Sequence, residues 1–292
     1  MTAMETGAKR LIVNADDYGR SPAISAGIRR AHQQGIVTST TVMINFPGAA
    51  EEVRRAVHEC PALGVGVHLC LTAGRPVLPP EEIPSLVGPD GAFPLKSKQL
   101  ARLEEMAADE IRAELRAQIE ATRGSANVRI DHLDSHHHVT YMHPRLLAVM
   151  LELAAEYQLS VRSPLPRGGL PAAKAAGLAP PGVTQEQADQ VEAMVSGTPH
   201  PAAFCASFFG ARATLEQMLQ ILDDLPAGAT EIMCHPGLSE TKSASSYNTE
   251  REQELEILCH PAVRERVVER GIELVSFRFL IGAGGGHGST GR

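Results

Sequence analysis

Short apolar runs alternate along the chain with longer stretches of helical period. Arg10-Leu-Ile-Val-Asn-Ala15 is a compact buried-strand run that stops at Asp16-Asp17-Tyr18-Gly19, which has turn chemistry. Ser21 is placed to cap a helix, with Pro22 at its first position and Gly35 just past its end. Residues 36–45 are rich in β-branched side chains, and Pro47-Gly48 separates them from a helical pattern over 49–60. Residues 63–72 form a third strand run. The proline-dense stretch 73–94 has no periodicity, and a loop of that length in a compact fold is usually functional. Over 100–123 the spacing of Leu103, Met106, Ile111, Leu115 and Ile119 predicts one amphipathic helix. Strands are then expected near 128–134, 159–163, 202–208, 230–235 and 272–276. Helices are expected over 145–158, 184–195, 213–225, 249–259 and 262–270, with a second Pro/Gly-rich loop over 164–182.

Seven or eight such alternations predict a parallel sheet covered by helices. A closed or nearly closed (β/α) barrel fits the count best. A doubly wound open sheet is the competing layout, and the Gly-rich phosphate loop that would support it is missing. The expected organisation is an N-terminal extension over 1–9, one barrel domain over 10–280 and a flexible Gly-rich tail over 281–292.

A net charge of −7 with no basic block argues against nucleic acid and anionic membranes as main partners. No apolar run is long enough to span a bilayer, and the first ten residues lack the features of a signal peptide. Cys60, Cys70, Cys205, Cys234 and Cys259 are odd in number and contain no C-x-x-C pair, which predicts reduced thiols and a cytoplasmic location.

The chemistry gathers at predicted strand ends. Asp16 and Asp17, His68, the triplet His136-His137-His138 and His235 each fall at or near the C-terminal end of a strand. In a barrel those ends converge on one face, where active sites of such folds lie. On an extended strand neighbouring side chains point to opposite faces, so at most two of the three histidines are expected to share a site. A carboxylate with two imidazoles is a familiar ligand set for a catalytic divalent ion, and Asp17, His68 and His136 are the candidates. The donors leave zinc, manganese and magnesium open. Asp16 is the candidate base, Asp134 is placed to orient a liganding imidazole, and His132 to brace Asp134. His235, followed by Pro236-Gly237, is expected at the rim as a general acid or substrate contact. Blander readings exist: an Asp pair suits a helix N-terminus, and a lone strand histidine is often a core residue. A thiol nucleophile at Cys70 or Cys234 is disfavoured, because alternation turns Cys234 away from His235 and a His68 spent on metal cannot activate Cys70.

Five motifs carry a resemblance. Leu11-Ile-Val-Asn-Ala-Asp-Asp-Tyr-Gly19, Gly35-Ile-Val-Thr-Ser-Thr-Thr41, Gly66-Val-His-Leu-Cys-Leu-Thr72, Asp134-Ser-His-His-His-Val139 and Cys234-His-Pro-Gly237 resemble, in order, the YdjC-like carbohydrate deacetylases. That resemblance implies a distorted (β/α) barrel, a divalent metal (magnesium in the family) and removal of an N-acetyl group from an amino sugar. Asp17, His68 and His136 match its metal positions, Asp16 its base, and His235 a histidine near the substrate. Tyr247 and Arg251 look like its sugar-contacting end, with His138 also placed on the substrate side. After the triplet, Val139-Thr-Tyr-Met-His-Pro144 departs from the family's closer Val-His pairing, which leaves the preferred sugar open. The expected partner is an N-acetylated sugar such as a chito-oligosaccharide or an N-acetylglucosaminyl conjugate, with a homodimer compatible. The alternatives are another metal-dependent hydrolase or lyase on the same barrel, or a non-catalytic carbohydrate-binding protein.

Overall fold

Eight strands, all parallel where they pair, form the sheet of the computed structural model, which describes residues 7–180, 182–240 and 247–282. Most of the expected N-terminal extension, and the Gly-rich tail beyond Gly282, lie outside the described residues. The first half runs β1 (Lys9–Tyr18), α1 (Pro22–Gln34), β2 (Ser39–Val42), α2 (Ala49–Glu59), β3 (Gly64–Leu69), α3 (Lys96–Leu100), α4 (Ala108–Ala126) and β4 (His132–Ser135). The second half runs α5 (Pro144–Tyr157), β5 (Ser160–Val161), α6 (Gly169–Ala175), α7 (Gln185–Val195), β6 (Ala203–Cys205), α8 (Leu215–Asp223), β7 (Gly228–Cys234), α9 (Thr249–Leu258), α10 (Pro261–Glu269), β8 (Ile272–Leu274) and α11 (Arg278–Gly282).

The strand order is β5-β4-β3-β2-β1-β7-β6, with β8 paired to the start of β1. The sheet curls into a barrel that does not fully close. Between β5 and the chain entering β6 the bridging bonds are Val161 N–H to the Pro199 carbonyl, 2.9 Å, and Ser163 Oγ to the Pro201 carbonyl, 2.6 Å. The helices follow the strands around the outside: α4 packs between α2 and α5, α1 lies against α9, and α8 against α10.

Side-chain parity explains the two faces of this sheet. Leu11, Val13 and Ala15 of β1, Val65, Val67 and Leu69 of β3, Leu133, Val161 and Ile232 enter the apolar core beneath the helices. The residues of opposite parity point into the barrel, and many are polar: Asn14, Asp16, His68, His132, Asp134, Arg162 and Glu231, all buried. Gly66 is required here, because a Cβ on it would sit 2.4 Å from the His132 ring.

Local sequence signals set several boundaries as expected. Ser21 accepts the Ile24 N–H, Pro22 opens α1 and Gly35 closes it. Two expectations fail in the first half, and in the second half α6 occupies part of the stretch 164–182 expected as a loop. Instead of stopping at Ala15, β1 continues through Tyr18, with an irregularity in its pairing to β2 between Ala15 and Tyr18. The single helix over 100–123 is also broken, into α3, a 3-10 turn at Leu103–Glu105 and α4. The proline-rich loop competes for the backbone at the break. Ser85 Oγ accepts the Ala107 N–H and Arg102 reaches the Ser85 and Val87 carbonyls, which ties the loop to the start of α4. No helix among the described residues is long and apolar enough to cross a membrane.

Candidate active site

At the C-terminal ends of the strands a cavity of 460 Å³ opens, with Asp16, Asp17, His68, His136, Arg162 and His235 among its lining residues. Asp16 faces it by strand parity. Asp17, next in sequence, would point away on a regular strand, but its backbone is left-handed, φ 73°. The irregularity in β1 therefore turns two consecutive carboxylates into one site.

The histidine triplet departs from expectation for a related reason. The strand β4 ends at Ser135, and His137 and His138 are both left-handed, φ 57° and 63°. Alternation no longer applies, and all three histidines line the cavity. Non-glycine residues held in this region cost about 1–3 kcal/mol each, and such outliers cluster at functional sites. His136 joins Asp17 and His68. His137 is bonded through Nδ1 to Thr72 Oγ1, 3.0 Å, and His138 through Nε2 to the Pro164 carbonyl, 3.1 Å. Burial pushes the His137 and His138 imidazoliums down to about 3, so both rings are neutral.

Three donor atoms converge. Asp17 Oδ1, His68 Nε2 and His136 Nδ1 are separated by 3.2 Å (His136 to His68), 3.3 Å (His136 to Asp17) and 3.6 Å (His68 to Asp17). Ligand atoms about 2.1 Å from a small divalent ion stand about 3.0 Å apart at octahedral angles and about 3.4 Å apart at tetrahedral ones. Asp17 Oδ1 is buried with no hydrogen-bond partner among the described residues. The donor set fits a divalent cation, and its spacing is close to either geometry. His68 donates from Nδ1 to Asp134 Oδ1 at 2.6 Å, which turns its Nε2 toward the other two donors. Asp134 is fixed in turn by Thr41 Oγ1 at 3.0 Å. Burial disfavours the His68 imidazolium, but Asp134 together with Asp16 and Asp17 outweighs that and raises it to about 8, so a bound cation would displace the Nε2 proton. His136 is lowered by burial despite Asp17. Burial raises the Asp17 carboxyl, and the Arg251 guanidinium on its other oxygen holds it well below the usual range.

Asp16 sits in a different grip. Arg162 donates two parallel bonds to it, 2.8 and 2.7 Å, and Asn14 adds a third at 2.9 Å. The same guanidinium reaches Glu231 at 2.7 Å and Asp134 at 3.0 Å. Burial alone would raise the Asp16 carboxyl, but Arg162 overrides it and keeps the group ionised. Glu231, farther along the same guanidinium, is pushed up to about 7 by burial. His132 braces a different carboxylate from the one expected. It binds Asp131 through Nδ1 at 2.6 Å and Asn14 through Nε2 at 3.2 Å, so it supports Asp16 by way of Asn14.

His235 follows β7 and places Nε2 3.9 Å from Asp16 Oδ2. Burial lowers its imidazolium to about 4 despite Asp16 and Asp17. Arg251 holds Asp17, the His235 carbonyl and the Tyr247 carbonyl together. Tyr247 Oη donates to Glu254 and accepts the Gly210 N–H at 2.8 Å. The thiols take no part in this arrangement: burial raises Cys70 to about 12 and Cys234 well above its ordinary value.

A family model described as YdjC-like protein matches residues 10–269. The chain belongs to the YdjC-like family. A carbohydrate deacetylase of Brevibacillus brevis is 36% identical over 274 residues, covering 93% of this chain and 99% of that protein. A chitooligosaccharide deacetylase of Proteus mirabilis is 33% identical over 278 residues, covering 94% and 100%. A proposed cellobiose-phosphate cleavage protein of Enterococcus faecalis V583, known as a crystal structure, aligns with a TM-score of 0.81 at 34% identity, covering 94% and 99%.

Arg162, Glu231, Glu254 and Phe209 of this YdjC-like site are not among the residues expected from the sequence. Two left a signal. Arg162 and Glu231 are the charged residues inside otherwise uncharged strand runs, Leu159-Ser-Val-Arg and Thr230-Glu-Ile-Met-Cys, at the parity of the barrel interior. A charge at such a position must be paired.

Proposed function

We propose that this chain is a metal-dependent deacetylase that removes an N-acetyl group from an amino sugar, with Asp16 as general base. The observation that carries the reading is the juxtaposition, in one cavity, of the Asp17–His68–His136 donor set with the Arg162-held Asp16 and with His235. The names of the relatives support the substrate class. Magnesium is the preferred ion by resemblance, and zinc and manganese fit the same donors.

Asp17, His68 and His136 would hold the ion, which supplies Lewis acidity to the amide carbonyl and acidifies the attacking water. Asp16, kept ionised and oriented by Arg162, accepts the proton of that water. His235 lies 3.9 Å from Asp16 Oδ2 and enters as a neutral ring. The proton taken up by Asp16 is relayed through one water to His235, which donates it to the departing sugar nitrogen. Asp134 keeps the His68 ring turned, and Arg251 fixes Asp17 and the His235 backbone in common.

The decisive assay follows acetate release from N-acetylated mono- and disaccharides, first with chelator-stripped protein and then with magnesium, manganese or zinc restored. Acetate that appears only on metal return supports the reading. A folded, metal-loaded protein that releases none from any of them rejects it. A non-catalytic sugar-binding protein would bind the same sugars without turnover.

A further inference from the structure

Phe209 stands apart from the other aromatic side chains. It is 37% exposed, whereas the nearby Phe204 and Phe208 are fully buried. The backbone is extended at Phe209, φ −158° and ψ 141°, so Phe208 enters the core while Phe209 turns outward. Its exposure is directed, because the ring lines the cavity that holds Asp16, Asp17 and His235. Tyr247 covers one face, stacked 3° from parallel with ring centres 4.6 Å apart. His235 meets the ring edge-on at 5.1 Å.

The backing ring is itself locked. Tyr247 is tied to Glu254 and to the amide of Gly210, the residue after Phe209, while Glu254 also accepts the His235 N–H. Glu254 is fully buried on α9, so one carboxylate joins the His235 backbone to the support of Phe209. A flat apolar surface is thereby held at a set distance from His235 before any ligand arrives. Preorganisation of this kind spares the ordering cost of binding.

We propose that Phe209, backed by Tyr247, is the stacking platform for the sugar ring that carries the scissile amide. The proposal rests on the deacetylase reading for its placement. His235 lies within reach of both Asp16 and Phe209, so a ring that presents its nitrogen to His235 must lie beside Phe209. One face of a β-linked pyranose offers C–H groups with slight positive charge, which suit the negative face of an aromatic ring. Stacking buries those C–H groups while the hydroxyls at the ring edge stay hydrated. Tyr247 then acts chiefly as a positioning residue behind Phe209.

The chain contains no tryptophan, so Phe209→Trp installs a single indole at the proposed platform. Titration of the chelated variant with N-acetylglucosamine and its β-1,4 dimer should give a saturable shift in indole emission. In the metal-loaded protein, Phe209→Ala should raise KM about tenfold, with the loss mainly in KM rather than kcat. Phe209→Leu, apolar but not flat, should recover little of it, and metal affinity by calorimetry should follow the parent in both. Acetate release with an unaltered KM in Phe209→Ala would overturn the platform and leave the deacetylase reading standing. An indole that responds to sugar, in a chain whose parent releases no acetate, would support the platform and overturn the reaction. An indole silent at saturating sugar, in a variant that still turns over, would overturn the platform.

Discussion

Arg162 and Asp16 meet through two parallel N–H···O contacts of 2.7 and 2.8 Å, both side chains buried in the barrel interior. The guanidinium also serves Asp134 and Glu231, so one cation holds the candidate base and the residue that orients a candidate metal ligand. Distances within the site therefore depend on a side chain outside the candidate donor set.

Replacing Arg162 tests this directly. Arg162→Lys keeps the charge but loses the planar fork, and cannot reach three carboxylates in the same geometry. Arg162→Met leaves those three buried carboxylates without their shared cation, a change that costs about 3–5 kcal/mol where buried pairs have been broken. Chemical unfolding should show Met worse than Lys. Turnover in the lysine variant should drop by about a hundredfold or more if Asp16 is the base it orients. A lysine variant with parental turnover would remove the orienting role.

Metal binding and proton transfer separate by mutation. Asp16→Asn should still bind the ion yet lose about a hundredfold or more in turnover. His68→Ala should lose the ion. A ligand that binds only the folded state raises its stability, so adding metal after chelation should raise the Tm of the parent and of Asp16→Asn but not of His68→Ala. Full metal occupancy in His68→Ala by elemental analysis would refute the donor set.

Glu254 supplies a pH-dependent signature. Burial raises its carboxyl to about 7 in the folded protein against an ordinary 4.5, despite the bonds from Tyr247 and the His235 amide. Between these values the folded state holds more protons than the unfolded one, so this group's contribution to stability falls as pH rises. Glu254→Gln resembles the protonated form. The stability of the chelated variant relative to parent should therefore grow from pH 5 to pH 8, measured by urea unfolding at both. A constant difference would mean that Glu254 is not desolvated as described.

Close helix packing sets the position of the His235 loop. A Cβ on Gly27 of α1 would lie 2.4 Å from the Gly237 Cα, and the Leu238 N–H bonds the Ala23 carbonyl at 3.2 Å. Gly27→Ala must push the backbone just past His235. The expected outcome is a loss of about 1–3 kcal/mol, typical of overpacking, together with reduced turnover despite an intact side-chain set. Parental kinetics in a destabilised Gly27→Ala protein would show that the loop position does not matter to His235.

The order of the strands, the capped boundary of α1 and the parity that turns Asp16 and His68 inward are legible in the sequence alone. Ser21, Pro22 and Gly35 mark α1 because capping depends on neighbours within a few residues. Parity in runs such as Leu-Ile-Val-Asn-Ala-Asp and Gly-Val-Gly-Val-His-Leu sorts Asp16 and His68 into the barrel, since the period of a strand is a local property. Motifs spread over the chain were enough to indicate the family.

What the sequence could not decide were the departures from that period and the pairings made across the fold. Asp17, His137 and His138 reach the cavity through left-handed backbone that local preference disfavours and only tertiary contacts can hold. The grip of Arg162 on Asp16 spans 146 residues, and that of Arg251 on Asp17 spans 234. Neither leaves a periodic trace, because a buried charge finds its partner by three-dimensional proximity once the sheet has curled.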